Sequence, residues 1–577
     1  MKRFFIICSV MCCLLCACSR NSALTLEGEP LVALTRQAKT GVITSTEKSD
    51  TLFYRFTETQ RQQFAQLASS SSGAAIDLLC AKSAKPETES ATFYAGFLYE
   101  SDFSDEYKLM VDLDARPQVS GVLSQMQLPK VHVVLSVAPD AELPIGFFIK
   151  GDAGVSLSGV SFTGAEMGFD RRGEIPVFAF GPDGGGIDLN SRSFDFTGGS
   201  SLFASENSSA GVLPYIYIEM TPAEDIGTIS EQLTVHASYA GQDFSVRRSP
   251  ECNTLTVQTA AFEKHYGMLS FNSHKESVLC ALLLPNDKKL IAPSDGHVLE
   301  PLVSDMGFMF EYPVSSWRNR DYELFRWEEF PSVLVFAVKN YAVQDQFFTR
   351  LAYFVEKTGY KGTFVDDQFI LTEHGYNAHD YKADDLARFF TQAEKKRVRL
   401  NEHELLLRDI LVHNGVIVSD GAGGFNAGKG CIISFSMESP SYLRYQLIAH
   451  EGWHGIYFGD EAFRDTVAMC YLMFDPVYMD FLQTYWETYA SLMYDRTDEY
   501  LMRNEFMAYH LQQSVSQIAD YFLTRARWGS VQRTQKQNAD YIIASNAEAF
   551  TDTAAMLSDY VFTRWGLCAG RVWNVSR

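Results

Sequence analysis

The stretch Leu447-Ile448-Ala449-His450-Glu451-Gly452-Trp453-His454-Gly455 contains one H-E-x-x-H motif. Residues four apart share a face of a helix, so His450 and His454 present their imidazoles side by side, with Glu451 next to them. Two imidazoles can hold a zinc ion, and the carboxylate can act as general base toward a water that the zinc activates. The local sequence supports a helix. Ser439-Pro440 offers serine as N-cap and proline at the first helical position, and the spacing predicts a helix from Pro440 to Tyr457. A strand is expected just before it, Cys431 to Met437. The glycine-rich turn Gly421 to Gly430 that leads into this strand lacks the order of a P-loop.

Working upstream, Ser332 to Val338 is a short apolar run suited to a buried strand. Ala342 to Lys357 has a helical apolar face through Phe347, Leu351, Phe354 and Val355. Thr363 to Leu371 is expected to be another strand, and Lys382 to Lys395 and Glu402 to His413 two more helices. This β-α-β order implies a mixed sheet with helices packed on it. His374, His379 and Asp380 fall in a polar stretch, Glu373 to Tyr381, which reads as an exposed loop with a capping role and as a second-tier candidate for lining a site. Downstream, Phe458 to Arg577 is mainly helical. The aromatics Phe474, Tyr478, Phe481, Tyr485, Trp486 and Tyr489 form a core stripe, and Glu499 to Ser516 and Ala547 to Trp565 are predicted helices.

The first half has a different texture. From Asp50 to about Ala260 short strands dominate, among them Lys130 to Val137, Ile145 to Lys150, Gly154 to Phe162 and Leu213 to Met220, with turn signals between them. That pattern points to one or two sandwich-like β modules. Asp183 and Asp188 lack the acidic spacing of an EF-hand and read as a solvated hairpin loop.

Composition sets the outer limits. The chain has 577 residues, with 46% hydrophobic and 21% charged, which is ordinary for globular chains. A net charge of -22 excludes a general nucleic-acid binder. Lys2 and Arg3 precede a short apolar run from Phe4 to Leu15, which fits a secretory signal better than a membrane span. It ends in Leu15-Cys16-Ala17-Cys18, which resembles the lipobox of bacterial lipoproteins. That resemblance implies cleavage before Cys18, lipid (palmitate) on Cys18 and a chain anchored at the exported face of a bacterial membrane. The six later cysteines form no C-x-x-C pair, so a cysteine zinc site is not expected.

The motif and its preceding strand resemble the zincin metallopeptidases, in which an edge strand before the H-E-x-x-H helix lies beside the bound peptide. Cys431 to Met437 stands where that strand is expected. The resemblance implies that His450 and His454 bind Zn2+ and that Glu451 activates water. For the third ligand two positions stay open. Met502-Arg503-Asn504-Glu505-Phe506-Met507-Ala508 is similar to the N-E-x-x-[SA] segment of gluzincins, which makes Glu505 the preferred ligand, although Tyr509 replaces the acidic residue expected one turn later. Asp460 has the metzincin spacing, but Tyr457 stands where that family has its turn glycine. Tyr509 and His510 are candidate donors to a tetrahedral oxyanion. Arg464, Arg525 and Arg527 are candidates for a substrate carboxylate, with surface pairing as the competing role.

The expected fold is therefore multidomain: a β-rich, sandwich-like N-terminal region followed by an α+β, largely helical, zincin-like C-terminal domain. The boundaries are a signal peptide at 1–17, a tether at 18–48, β-rich modules at 49–262, an α/β segment at 263–400 and the helical catalytic region at 401–577. The expected function is that of a membrane-anchored, exported zinc metallohydrolase, a peptidase acting on a peptide or protein substrate. The alternative is a surface binding lipoprotein whose zincin-like domain is catalytically silent. A zinc amidase acting on cell-wall peptides is a third reading.

Overall fold

A computed structural model of the chain describes residues 24–44, 50–70, 73–82, 93–104, 108–111, 122–123, 129–139, 141–173, 175–181, 187–188, 193–203, 213–221, 234–248, 253–286, 298–489 and 491–577. The signal sequence, Cys18, Asp183 and Cys252 lie outside the described residues. Most of the predicted tether, 18–48, is folded instead: Thr25–Leu26, Glu29–Pro30 and Val32–Ala33 are strands, and Leu26, Leu31, Ala38 and Ile43 are buried, because apolar residues spaced through this polar stretch find a core to pack on. The chain is multidomain, with a β-rich N-terminal and a helical C-terminal region. One compact unit comprises Met1–Glu219, Ala237–Gln242 and Phe262–Pro285, and the other Met220–His236, Asp243–Ala261 and Asn286–Arg577.

In the first unit, the β-branched run Lys130–Val137 is a strand over the predicted residues. It pairs antiparallel with Ala74–Lys82 on one side and parallel with Ile175–Phe180 on the other. Strands with two neighbours and both faces covered are apolar almost throughout, and Val131, Val133, Val134, Leu135 and Val137 are all buried. Val155–Gly164, Met167–Arg172 and Val278–Leu284 extend this sheet. A second sheet has the order Val32–Ala33, Thr51–Arg55, Gly146–Gly151, Phe93–Leu98, Val122–Leu123. The helix Glu58–Ser70 accompanies them.

The second unit is built on a five-stranded mixed sheet in the order Leu302–Ser304, Tyr322–Trp327, Val333–Val338, Cys431–Ser436, Ala378–Lys382. Every residue of Val333–Val338 is buried. Strand periodicity sends alternate side chains to opposite faces. Leu334, Phe336, Val338, Ile432 and Tyr381 face one way, into a core shared with the helices Tyr341–Val355, Ala383–Lys396 and Glu402–His413. Asn340 caps the first of these helices through Val343 N, and Asn401 and Glu404 form a capping box on the third.

The opposite face takes the motif helix, Ser441–Gly459. Gly455 lets it lie close to the sheet, since a Cβ there would stand 3.1 Å from both methyls of Val333. The helix begins one residue after the predicted start. Ser439 is not its cap: Pro440 holds that position without a side-chain bond, and Ser439 Oγ instead sits 2.7 Å from Tyr341 Oη.

Three further expectations are corrected. Cys431–Ser436 is not the sheet edge; it has Val333–Val338 on one side and Ala378–Lys382 on the other. Thr363 to Leu371 is not a strand. Gly362 takes a positive φ, and Asp366 caps a short helix, Asp367–Ile370, because local aspartate capping offers its few apolar residues an alternative to a sheet. The stretch Glu499 to Ser516 is not one helix but ends at Leu511, and a second helix, Val515–Ala526, follows.

The remaining helices, Glu461–Met473, Pro476–Thr488, Lys536–Ala544 and Glu548–Trp565, complete the C-terminal region. Asp460, Asp475 and Asp498 each accept an amide hydrogen bond at a helix start, satisfying otherwise orphan donors. Tyr478, Phe481, Tyr485 and Trp486 are buried as the core stripe implies, and full burial of each such ring contributes on the order of 2–3 kcal/mol. Among the described residues no helix is long and apolar enough to cross a membrane.

Candidate metal centre and its cleft

The motif helix is buried over nearly all of its second half, from Ile448 to Tyr457, with His450 the partly exposed exception. A helix buried on all sides is normally apolar, so His454 and Glu451, 0% and 5% exposed, need a reason to be there. The reason lies on the helix Glu499–Leu511, packed alongside. Its Glu505 places one carboxylate oxygen 3.6 Å from His450 Nε2 and the other 3.7 Å from His454 Nε2. The indole of Trp453 donates to Leu511 O at 2.9 Å and fastens the two helices together.

The three side chains bring one donor atom each to within 4.8 Å of one another. Donors about 2.0–2.1 Å from one tetrahedral zinc stand roughly 3.3 Å apart, close to the separations seen. His454 Nε2 and Glu505 Oε2 have no hydrogen-bond partner among the described residues. Buried polar atoms without partners are costly, and a shared cation is one way to satisfy such a set together. These residues fit a divalent, tetrahedrally coordinated metal.

The far side of one ring fits as well. His450 Nδ1 lies 3.1 Å from Gln512 Oε1, an outer oxygen of the kind that orients a metal-binding imidazole and fixes its tautomer. His454 Nδ1 faces Asp380 Oδ2 at 3.9 Å, beyond hydrogen-bond reach.

Asp380 comes from the edge strand Ala378–Lys382. There the alternation turns His379 and Tyr381 into the core and Asp380 toward the motif helix. Asp380, Glu451 and His454 form a second convergent group. Burial, followed by the charges of Asp380, Glu505 and Glu356, raises the Glu451 carboxyl well above its usual range. Burial likewise pushes Asp380 up to about 6, opposed by His450 and by a hydrogen bond with Glu451. Burial thus favours the neutral form of each of these two carboxyls, whose oxygens stand within 4.8 Å of one another. Burial holds His454 down at about 4, keeping its imidazole neutral, the form that can bind a metal.

These groups open onto a cleft of about 290 Å³ that contains His450, Glu451 and Asp380 together with Tyr376, Tyr494 and Tyr509. Burial keeps all three phenols protonated far above neutrality, so each hydroxyl can donate a hydrogen bond. Tyr509 packs its ring 5.3 Å from that of His450.

The sequence candidates separate cleanly. His450, His454, Glu451, Glu505 and Tyr509 come together at the centre or on its cleft. Asp460 does not: it caps the next helix through Phe463 N and pairs with Arg564 at 2.7 Å. His510 does not either. Its Nδ1 bonds Phe506 O at 2.6 Å, and its ring packs among Phe474, Phe506, Phe522 and Phe550. One residue after Tyr509, a helix has turned by about 100 degrees, enough to move the side chain from cleft to core. Arg464 bonds the carbonyls of Tyr457 and Phe458 at the end of the motif helix. Arg525 borders the cleft, and Arg527 is exposed.

Residues with no special weight in the sequence also belong here: Gln512, Tyr376 and Tyr494, with Asp380 promoted from the second tier. Gln512 follows Glu505 by two helical turns, a spacing that would have flagged it. No local pattern marks the others. Comparison with protein-family models, curated proteins and solved structures finds no significant match.

Proposed function

We propose that this chain is a zinc-dependent peptide hydrolase of zincin-like, gluzincin type, held at the exported face of a membrane by lipid on Cys18. The observation that carries the reading is the convergence of His450 Nε2 and His454 Nε2 on the two oxygens of Glu505. His450, His454 and Glu505 would hold the ion. A bound zinc would supply Lewis-acid polarisation of the scissile carbonyl and make water more acidic.

The chain's own residues supply the rest. Glu451, lining the cleft beside His450, would in its ionised form take a proton from water and return it to the leaving amine. Asp380, converging with Glu451 and His454, would hold that carboxyl in place. The hydroxyls of Tyr494 and Tyr509 are available to a developing oxyanion. The strand Ala378–Lys382 is paired on one side only, so its free edge can align an extended peptide by backbone hydrogen bonds. The cleft, near the roughly 300 Å³ lower bound of small-ligand sites, suits a short peptide segment.

The test is Glu451→Gln in the full chain. Zinc content by elemental analysis stays near one per chain, while cleavage of a peptide library falls by about 10²- to 10⁴-fold. Wild-type cleavage stops with a chelator and returns with zinc. A purified chain without stoichiometric metal would end this reading.

A further inference from the structure

The described residues of the cleft carry three carboxylic side chains, Glu356, Asp380 and Glu451, but a single arginine and no lysine. The arginine is Arg525, on the helix Val515–Ala526. Its guanidinium lies 3.2 Å from the ring centroid of Tyr521 and 5.1 Å from that of Trp528. Its Nη1 donates to the Tyr521 carbonyl at 3.3 Å, and its Nε has no hydrogen-bond partner among the described residues.

Among the described residues, the two fully buried arginine pairs of this unit are neutralised by carboxylates: Arg318 by Glu323, and Arg350 by Glu404 and Asp367. Among the described residues no carboxylate pairs with Arg525. Aromatic rings and a backbone carbonyl fix the plane of its fork without cancelling its charge. Such a fork matches a carboxylate with two parallel hydrogen bonds.

Its position relative to the metal centre follows from contacts. Gln512 bonds His450 at 3.1 Å, Gln512 and Tyr521 line the same cleft, and Arg525 stacks on Tyr521. Arg525 is therefore three side chains along the wall from His450. A peptide residue spans about 3.3–3.6 Å when extended, so a group held at Arg525 belongs to the same short segment that reaches His450. Arg525 is the one arginine among the described residues of the cleft, so its fork is the partner that the cleft offers to a carboxylate.

We propose that Arg525 anchors a carboxylate of the bound peptide, so that the substrates are short peptides carrying a free carboxylate within a few residues of the scissile bond. The proposal rests on the peptide-hydrolase reading for its substrate class but concerns binding. A chain terminus and an acidic side chain offer the same chemistry, and the experiment separates them.

The full chain carrying E451Q, which holds peptide without turnover, is titrated with three fluorescent, aromatic-rich tetrapeptides. One has a free C-terminus, one is C-terminally amidated, and one is amidated and contains a glutamate. Charge-assisted hydrogen bonding predicts a preference of about 10- to 100-fold for a carboxylate over the neutral amide. The preference weakens as salt rises from about 0.05 to 1 M, because screening shortens the reach of the charge. It collapses in R525Q and survives in part in R525K. R525M, which keeps the stem over Tyr521, serves in place of R525Q should the latter fail to show a cooperative melting transition. Preference for the free terminus assigns a terminal carboxylate, preference for the glutamate peptide a side-chain carboxylate, and both support the proposal. Equal affinities for all three peptides, no binding of any at millimolar concentration, or a preference unmoved by R525Q overturns it. A chain that discriminates these peptides but contains no zinc keeps this inference and loses the hydrolase reading.

Discussion

Among the described residues, metal-capable side chains gather in both units, and they are held very differently. In the helical unit His450, His454 and Glu505 converge, and in the β-rich unit Asp170, Glu219 and Cys280 do, each set with donors within 4.8 Å. The second group satisfies itself. Burial, with the charges of Asp170 and Glu219, pushes the Cys280 thiol up far beyond neutrality, and the thiol donates to Glu219 at 3.7 Å. In the first group His454 Nε2 and Glu505 Oε2 have no hydrogen-bond partner among the described residues, and Gln512 Oε1 stands behind the His450 ring. Proximity of donors does not make a metal site. Unpartnered buried donors converging on one point are what supports the proposed zinc site.

The strongest way to break this contrast is to remove one donor from each group. Glu505→Ala should abolish zinc retention, a loss larger than the roughly 10- to 100-fold that follows removal of an outer partner. Cys280→Ala should leave the zinc content of the chain unchanged, both read by elemental analysis after dialysis. Zinc retained by the first variant or lost from the second would invert the assignment.

His510 sharpens the contrast from another side. Its Nε2 also lacks a partner among the described residues, yet no other donor converges on it. Its consequence is for stability. Burial lowers its pKa from 6.5 to about 4, so between these values the unfolded chain binds more protons than the folded one. Stability is complete above about pH 6.5 and falls as the pH drops toward 4, by on the order of 3 kcal/mol in full. His510→Leu should flatten that part of the profile, measured as urea midpoints at pH 7 and pH 5. An unchanged slope would show that His510 is not the titrating group.

The smallest effect concerns the support behind one ring. Gln512→Ala takes away the oxygen at His450 Nδ1 and should weaken zinc affinity about 10- to 100-fold, without the outright loss expected for Glu505→Ala. Competition with a chelator of known affinity measures it. An affinity equal to that of the parent would make Gln512 a bystander.

Much of the helical unit can be read directly from residue order. Glu402–His413 is a helix over its predicted residues, and Lys130–Val137 likewise a strand, because each carries its own period and its own boundaries. The two imidazoles are visible because one helical turn brings them together, and Glu505 because a second local pattern surrounds it. Asp380 is hidden for a physical reason. It reaches His454 across 74 residues of chain through the pairing of Ala378–Lys382 with Cys431–Ser436, and the short run Ala378-His379-Asp380-Tyr381-Lys382 carries too little apolar alternation to declare itself a strand. The same shortage misplaced the sheet edge, since edge position depends on partners rather than on the strand's own composition. Tyr509 and His510 differ only by a helical step, and the sequence cannot say which faces the cleft until the neighbouring helices are in place.

The bond from the Trp453 indole to Leu511 O has one more consequence. It ties the helix that bears both histidines to the helix that bears the glutamate, independently of any ion. The three donors are therefore assembled before a metal arrives, and capture need not supply the ordering entropy of bringing two helices together. Metal exchange in such a chain is a local event at side-chain tips, separable from folding, and the apo protein keeps the shape of its cleft.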